Sequence, residues 1–219
     1  MTRHAPFPMM QLSYGAVVNI SHPDAAFAVE VKLHGHGEEE TLWARVLSPV
    51  AGNDYGMVML PDVGDEVLIG FVGGDPSFPI VLGALYTGDR QPPFDPRDGG
   101  AVASWGVQGH KGTRVQLDES QNSEVVIETA SGSVSITVTD DGQKIEATNG
   151  SSSVKIEPSG VTVETGATVT VNASTVDVTA ASVNVNAAIS KFSGVVSCDV
   201  LQTNTVISTT YTPGAGNVW

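Results

Sequence analysis

Between residues 169 and 185 the chain reads VTVNASTVDVTAASVNV, and a Val-x-Val pair opens at Val169, Val176 and Val183, one every seven residues. Side chains alternate faces along a strand, so both valines of a pair lie on one side while Thr170, Asp177 and Asn184 point to the other. Between the pairs stand Ala, Ser, Thr and Asn, small enough for corners but with little apolar area of their own. One strand per period cannot enclose a core; a single-chain β-helix needs a longer coil to supply every face of each layer. The missing faces must come from other copies of the chain, and three chains wound on one axis is the simplest closed solution. The expectation is an intertwined trimeric β-prism.

The beat starts earlier and less regularly, at Val125-Val126-Ile127, Val134-x-Ile136-x-Val138, Ile145, Val154-x-Ile156 and Val161-x-Val163. Turn-rich pieces such as Thr139-Asp140-Asp141-Gly142 and Asn149-Gly150-Ser151-Ser152 separate these runs. From Gln116 onward the only aromatics are Phe192, Tyr211 and Trp219, too few for an ordinary sandwich core, whereas aliphatic columns inside a narrow prism need none. The same stretch holds eleven acids against Lys144, Lys155 and Lys191, and the chain as a whole carries a formal charge of −14. Such a surface repels phosphate backbones and anionic headgroups, so nucleic acid is not an expected partner. About twelve strand layers at ~4.8 Å each imply a shaft on the order of 50–60 Å.

The first 90 residues have a different texture. Gly15–Ile20, Ala28–Leu33, Leu42–Leu47, Gly56–Leu60, Glu66–Phe71 and Ile80–Tyr86 read as short strands divided by Gly, Pro and Asp turns, which suggests a small barrel. In the densest passage Val67, Ile69 and Phe71 share one strand face, and Gly73-Gly74-Asp75-Pro76 makes the next reversal.

The run PDVGDEVLIGFVGGDPSFPIVLGALY, with WARVLSPVAGNDYGMVMLP before it, resembles the OB-fold barrel of contractile-tail spikes, the family of phage baseplate assembly protein V and of the VgrG proteins of type VI secretion. The resemblance resumes at His110-Lys111-Gly112-Thr113-Arg114-Val115-Gln116-Leu117-Asp118, similar to the neck strand that leads into the family's β-helix. It implies an all-β protein with an N-terminal arm at 1–14, an OB-fold barrel at 15–86 and a Pro/Gly/Asp linker at 87–109. A neck and triple-stranded β-helix at 110–207 and a tip segment at 208–219 complete the expected plan. About fourteen residues precede the barrel where VgrG proteins carry a large hub domain, so the hub is expected to be a separate chain. The linker leaves no room for the lysozyme domain that some spikes insert, and with no histidine after His110 the His-x-His iron tip of short phage spikes is not expected.

No catalytic, cofactor or metal site is expected. His34-Gly35-His36 beside Glu38, Glu39 and Glu40 could place two imidazoles on one strand face, but LHGHGEEET lies between barrel strands and reads as a solvated loop. Asp62, Asp65 and Asp75 fall in turns, no serine sits in a Gly-x-Ser-x-Gly elbow, and the acids of the repeat are scattered one per strand or turn. Cys198, the sole cysteine, lies in a Val-rich stretch, Val195-Val196-Ser197-Cys198-Asp199-Val200, and reads as an inert strand residue. The start MTRHAPFPMMQLSYG lacks the apolar core of a signal peptide, and no run of about 18 apolar residues is present to span a bilayer. A soluble product, assembled in the producing cell's cytoplasm, is the expectation.

The expected function is mechanical: a homotrimeric central spike in the baseplate of a virion or injection particle, its barrel on the hub and its shaft on the tail axis, driven into the target cell envelope. A blunt prism end exposes unpaired strand edges and must be covered. Tyr211 and Trp219 could fold back as a plug; the family's pattern is instead a platform for a cone-shaped PAAR-type tip protein, with Tyr211, Asn217, Val218 and Trp219 as the contact residues. The other function class is a trimeric fibre-like adhesin for glycan or receptor, against which Trp43, Phe94 and Trp105 are too dispersed to form a sugar platform.

Overall fold

The computed structural model describes residues 11–24, 27–35 and 40–210 of the chain. The strands in order are β1 (Leu12–Asn19), β2 (Ala28–Leu33), β3 (Thr41–Val46), β4 (Ala51–Gly52), β5 (Tyr55–Gly56), β6 (Glu66–Phe71) and β7 (Pro79–Ala84). They are followed by β8 (Arg97–Asp98), β9 (Ala101–Val102), β10 (Ser104–Gln108), β11 (Arg114–Asp118), β12 (Glu124–Glu128), β13 (Ser135–Thr139), β14 (Lys144–Thr148), β15 (Ser152–Glu157) and β16 (Gly160–Thr165). The protein is thus all-β, as its sequence leads one to expect. It divides into two compact units, residues 1–168 and 169–219.

In the first unit β1, β2, β3, β7 and β6 close a barrel in that order, with every pairing antiparallel except β3 against β7. This is the five-stranded OB arrangement. Alternation fills its interior: Val29, Val31 and Leu33 from β2 meet Val67, Ile69 and Phe71 from β6, with Val17, Ala44 and Val81 from the other strands. Closure removes the edges that an open five-stranded sheet would leave unpaired.

One segment expected as a strand is not one. Gly56–Leu60 begins in the two-residue strand β5, which pairs only with β4, and Met57, Val58, Met59 and Leu60 then run on as an exposed loop. Asn53 and Asp54, the latter with φ at 61°, turn the β4–β5 hairpin.

Two short stretches between the barrel and the neck also hold structure. β8 and β9 form a hairpin, and Pro96 accepts the backbone N–H groups of Ala103 and Ser104, which delivers the chain into β10. From β10 to β16 each strand pairs antiparallel with its sequence neighbour, giving a seven-stranded meander within the one chain. The connections shorten along it, from 119–123 and 129–134 to 149–151 and 158–159, in step with the tightening sequence period. Residues 166–210 contain no strand, so the Val-x-Val pairs at Val169, Val176 and Val183 have no ladder within their own chain.

Candidate functional site

The meander is a sheet with two unlike faces, and its register shows how unlike. One face carries two unbroken columns. Val107, Val115, Ile127, Ile136, Ala147, Val154 and Val163 stand opposite one another in succession, and beside them run Trp105, Leu117, Val125, Val138, Ile145, Ile156 and Val161. Directly opposed aliphatic pairs are the unit from which sheets draw side-chain stabilisation. Here they have no second layer: Ile127 is 44% exposed, Ile136 46% and Val161 68%.

The other face is polar and held by its own charges. Arg114 on β11 donates from Nε and Nη2 to Glu128 on β12, at 2.9 and 2.8 Å. Lys144 reaches Glu146 at 3.1 Å, and that carboxylate, hydrogen-bonded to the ammonium, raises the lysine above its ordinary pKa. Lys155 lies 3.7 Å from Glu157. At the turn after β11, Ser120 holds the Asp118 carboxyl below the usual range, first through its side-chain hydroxyl and then through its backbone N–H, which donates to Asp118 at 2.9 Å. These groups are half-buried at the surface, where ion pairs add little net stability, so they position strands more than they stabilise them.

The asymmetry decides which face calls for a partner. Aliphatic side chains lie exposed along the meander columns and on the Val-x-Val pairs, where Val169 is 62% and Val171 70% exposed. Contiguous apolar surface on this scale marks an assembly face.

The barrel is tied to the chain that follows it by side chains that the sequence does not mark. His110, just before β11, meets Asp62 of the barrel at 3.0 Å, and Arg90 donates to Asp65 at 2.7 Å. Gly64, at φ 88°, lies beneath the Arg90 guanidinium, where a Cβ would fall 2.7 Å from Nη2. At Gly106 in β10 a Cβ would come within 2.5 Å of the Val115 carbonyl, with the Phe94 ring also close by. The sequence marks Asp62 and Asp65 as turn formers, which they are: Asp62 accepts the N–H of Val63, and Asp65 accepts the N–H of Asp62. Their second role depends on partners remote in the chain.

Asp75 caps its own turn by accepting the N–H of Ser77. Of the LHGHGEEET loop, His34 and Glu40 are described and exposed, while His36, Glu38 and Glu39 lie outside the described residues. The expected tip contacts Tyr211, Asn217, Val218 and Trp219 also lie outside them. Cys198 is exposed, in a segment without strand structure in the single chain. Among the described residues no group of three or more His, Cys, Asp or Glu is placed to hold a metal ion, and no helix is long and apolar enough to cross a membrane.

Residues 13–86 match the family described as the type VI secretion system/phage-baseplate injector OB domain, the span of the barrel almost to the residue. The chain is similar to the type VI secretion system spike protein VgrG4b of Pseudomonas aeruginosa, 39% identical over 79 residues, covering 34% of this chain and 10% of that protein. It is similar to spike protein VgrG5 of the same organism, 44% identical over 62 residues, or 28% of this chain and 8% of that one. The actin cross-linking toxin VgrG1 of Vibrio cholerae is 39% identical over 57 residues, 26% of this chain and 5% of the toxin. The chain therefore spans no more than a tenth of the length of these relatives. The barrel of this chain is thereby similar to the injector OB domain of the VgrG-like spikes of type VI secretion and phage baseplates.

Proposed function

We propose that the chain is a structural, non-enzymatic spike subunit that works as a homotrimer in the baseplate of a contractile tail or injection system. The observation that carries this reading is the junction of an injector OB barrel with a sheet whose aliphatic face is left open to solvent along its whole length. Three copies around one axis turn those columns inward and leave the acidic, salt-bridged faces outside. Beyond the meander the in-chain ladder ends at β16. From there the Val-x-Val strands pair between chains, because a backbone with no partner of its own must find one elsewhere or stay solvated.

The mechanical consequence follows from connectivity. In an interleaved prism no chain leaves without breaking the ladders of both others, so unfolding is slow even where the equilibrium stability is modest. That property suits a part pushed through an envelope by a contracting sheath. In this reading the barrel trimer seats on a hub formed by a separate chain, and the segment containing Tyr211, Asn217, Val218 and Trp219 receives a PAAR-type tip protein. The particle is assembled in the cytoplasm of the producing cell.

Light scattering on the purified full-length chain, paired with an SDS gel of unheated and boiled samples, tests this function. The expected result is a mass three times 22.7 kDa that survives SDS until the sample is boiled. A monomer at micromolar concentration would remove the prism and the spike function with it.

A further inference from the structure

We propose that the turn between β14 and β15 is a self-modification site, where Asn149 converts without an enzyme to aspartate and isoaspartate through attack by the backbone nitrogen of Gly150. The chemistry needs residues of one chain only, so it stands apart from the trimeric reading above.

The Gly150 nitrogen gives up its proton and bonds to Asn149 Cγ, and the carbonyl electron pair moves onto Oδ1. Collapse of that adduct breaks the Cγ–Nδ2 bond and releases ammonia, leaving a five-membered succinimide. Water then opens the ring. Opening at Cγ gives aspartate, and opening at the main-chain carbonyl gives isoaspartate, whose backbone runs through Cβ and Cγ. The sum is amide plus water to carboxylic acid plus ammonia, with no change of oxidation state. Holding the nucleophile next to its target in one chain removes the entropy cost of bringing them together.

Three features of the turn support the reaction. Asn149 is the only asparagine of the sequence that is followed by glycine, so here alone no Cβ crowds the attacking nitrogen. The second is access: Asn149, Gly150 and Ser151 are all exposed, and the Gly150 N–H donates to Thr148 Oγ1 at 3.2 Å. The hairpin is held instead by the Asn149 N–H on the Ser152 carbonyl at 3.1 Å and by the pairing of Thr148 with Ser153. Freeing the Gly150 nitrogen therefore breaks no strand pairing. The third is charge. Asn149 Oδ1 accepts the N–H groups of Ser152 at 2.9 Å and Ser151 at 3.3 Å, with the Ser151 hydroxyl at 3.4 Å. These donors converge on the atom that becomes negative as nitrogen adds to Cγ, the arrangement that stabilises an oxyanion.

The other turn asparagines lack this combination. Asn53 precedes Asp54, and its Nδ2 donates to that carboxylate at 3.2 Å, so a negative charge already stands beside the amide. Asn122 is exposed in the β11–β12 turn but precedes Ser123, whose Cβ stands next to the nitrogen. At position 149 isoaspartate lengthens the main chain by one carbon at the entry to β15, and either product adds a negative charge. The β14–β15 hairpin is accordingly the place where a stored protein ages first.

The test holds the full-length protein in mildly alkaline oxygen-18 water and follows its peptide map by mass spectrometry. The expected result is an acid at 149 that carries the label, appears as both aspartyl and isoaspartyl peptides, and accumulates several times faster than at Asn122 or Asn53 in the same sample. Gly150→Ala should slow it; the added Cβ has room, its nearest neighbour being the Ser133 carbonyl at 3.6 Å, but the positive φ of 83° strains alanine, so the comparison within the unaltered chain decides. A rate at 149 no greater than at Asn122 overturns the proposal. So does an aspartyl product with no isoaspartyl form, because direct hydrolysis of the side chain gives that alone.

Discussion

Replacing Ile136 with Asp separates a buried aliphatic column from an exposed one. Ile136 is 46% exposed in the single chain and stands in its column between Ile127 and Ala147. Fully burying an isoleucine is worth ~1.5–3 kcal/mol, so covering the half that remains contributes about 1 kcal/mol in each copy. Ile136→Asp forfeits this and adds a carboxylate to a closed apolar layer, at several kcal/mol per ion. Three copies meet in that layer, so the cost is on the order of 10 kcal/mol per trimer. The neighbouring change Thr137→Asp carries the same loss of β propensity, about 1 kcal/mol, but places its carboxylate on the polar face. Light scattering and unheated SDS gels of the two variants are the assay. The expected outcome is that Ile136→Asp dissociates or fails to assemble while Thr137→Asp remains trimeric. If the two variants behave alike, the aliphatic face is not an interior.

Other changes probe the parts that position this face. Ile69→Ala empties a fully buried site in the barrel and is expected to lower its stability by about 2–5 kcal/mol in denaturant melts. Gly64→Ala places a Cβ at a positive φ and against Arg90; a loss of roughly 1–2 kcal/mol is expected, together with chemical-shift changes at Asp65. Arg114→Met removes a partly exposed pair with Glu128 and should cost no more than ~1 kcal/mol, checked by the same melts. The Asp118 carboxyl, lowered by its bond from Ser120, supports the turn at pH above the ordinary carboxylate range and loses that support as pH falls through the lowered value. Carbon-13 titration should place its midpoint below that of an unpaired aspartate.

Much of the fold can be read from residue pattern, and the places where it cannot are instructive. The alternation of Val67, Ile69 and Phe71 identifies a strand with one buried face, and all three are in the barrel core. The runs at 125–127, 134–138, 145, 154–156 and 161–163 fall on the strands β12 to β16, with only Val134 just outside β13, because β-branched residues between short polar turns leave the backbone few alternatives. Met57 to Leu60 misleads for a physical reason: an apolar run has the same composition whether it lines a core or an interface, and only the barrel's closure by β3 and β7 shows that no ladder position is left for it. The ties of Asp62 to His110 and of Arg90 to Asp65 are invisible in sequence because turn chemistry already accounts for both aspartates. The open aliphatic face is legible as periodicity, but its exposure appears only once the chain is folded and found to have no second layer.

Amide hydrogen exchange across residues 169–185 of the full-length protein puts the three-chain prism itself to the test. That segment has no strand within its own chain, so any slow amides there require hydrogen bonds supplied by other copies. Alternating amides protected for hours, on a level with those of the barrel strands β2 and β6, are the predicted result. Complete exchange within seconds, with the barrel still protected, would mean that the Val-x-Val strands pair with nothing and that the prism does not form.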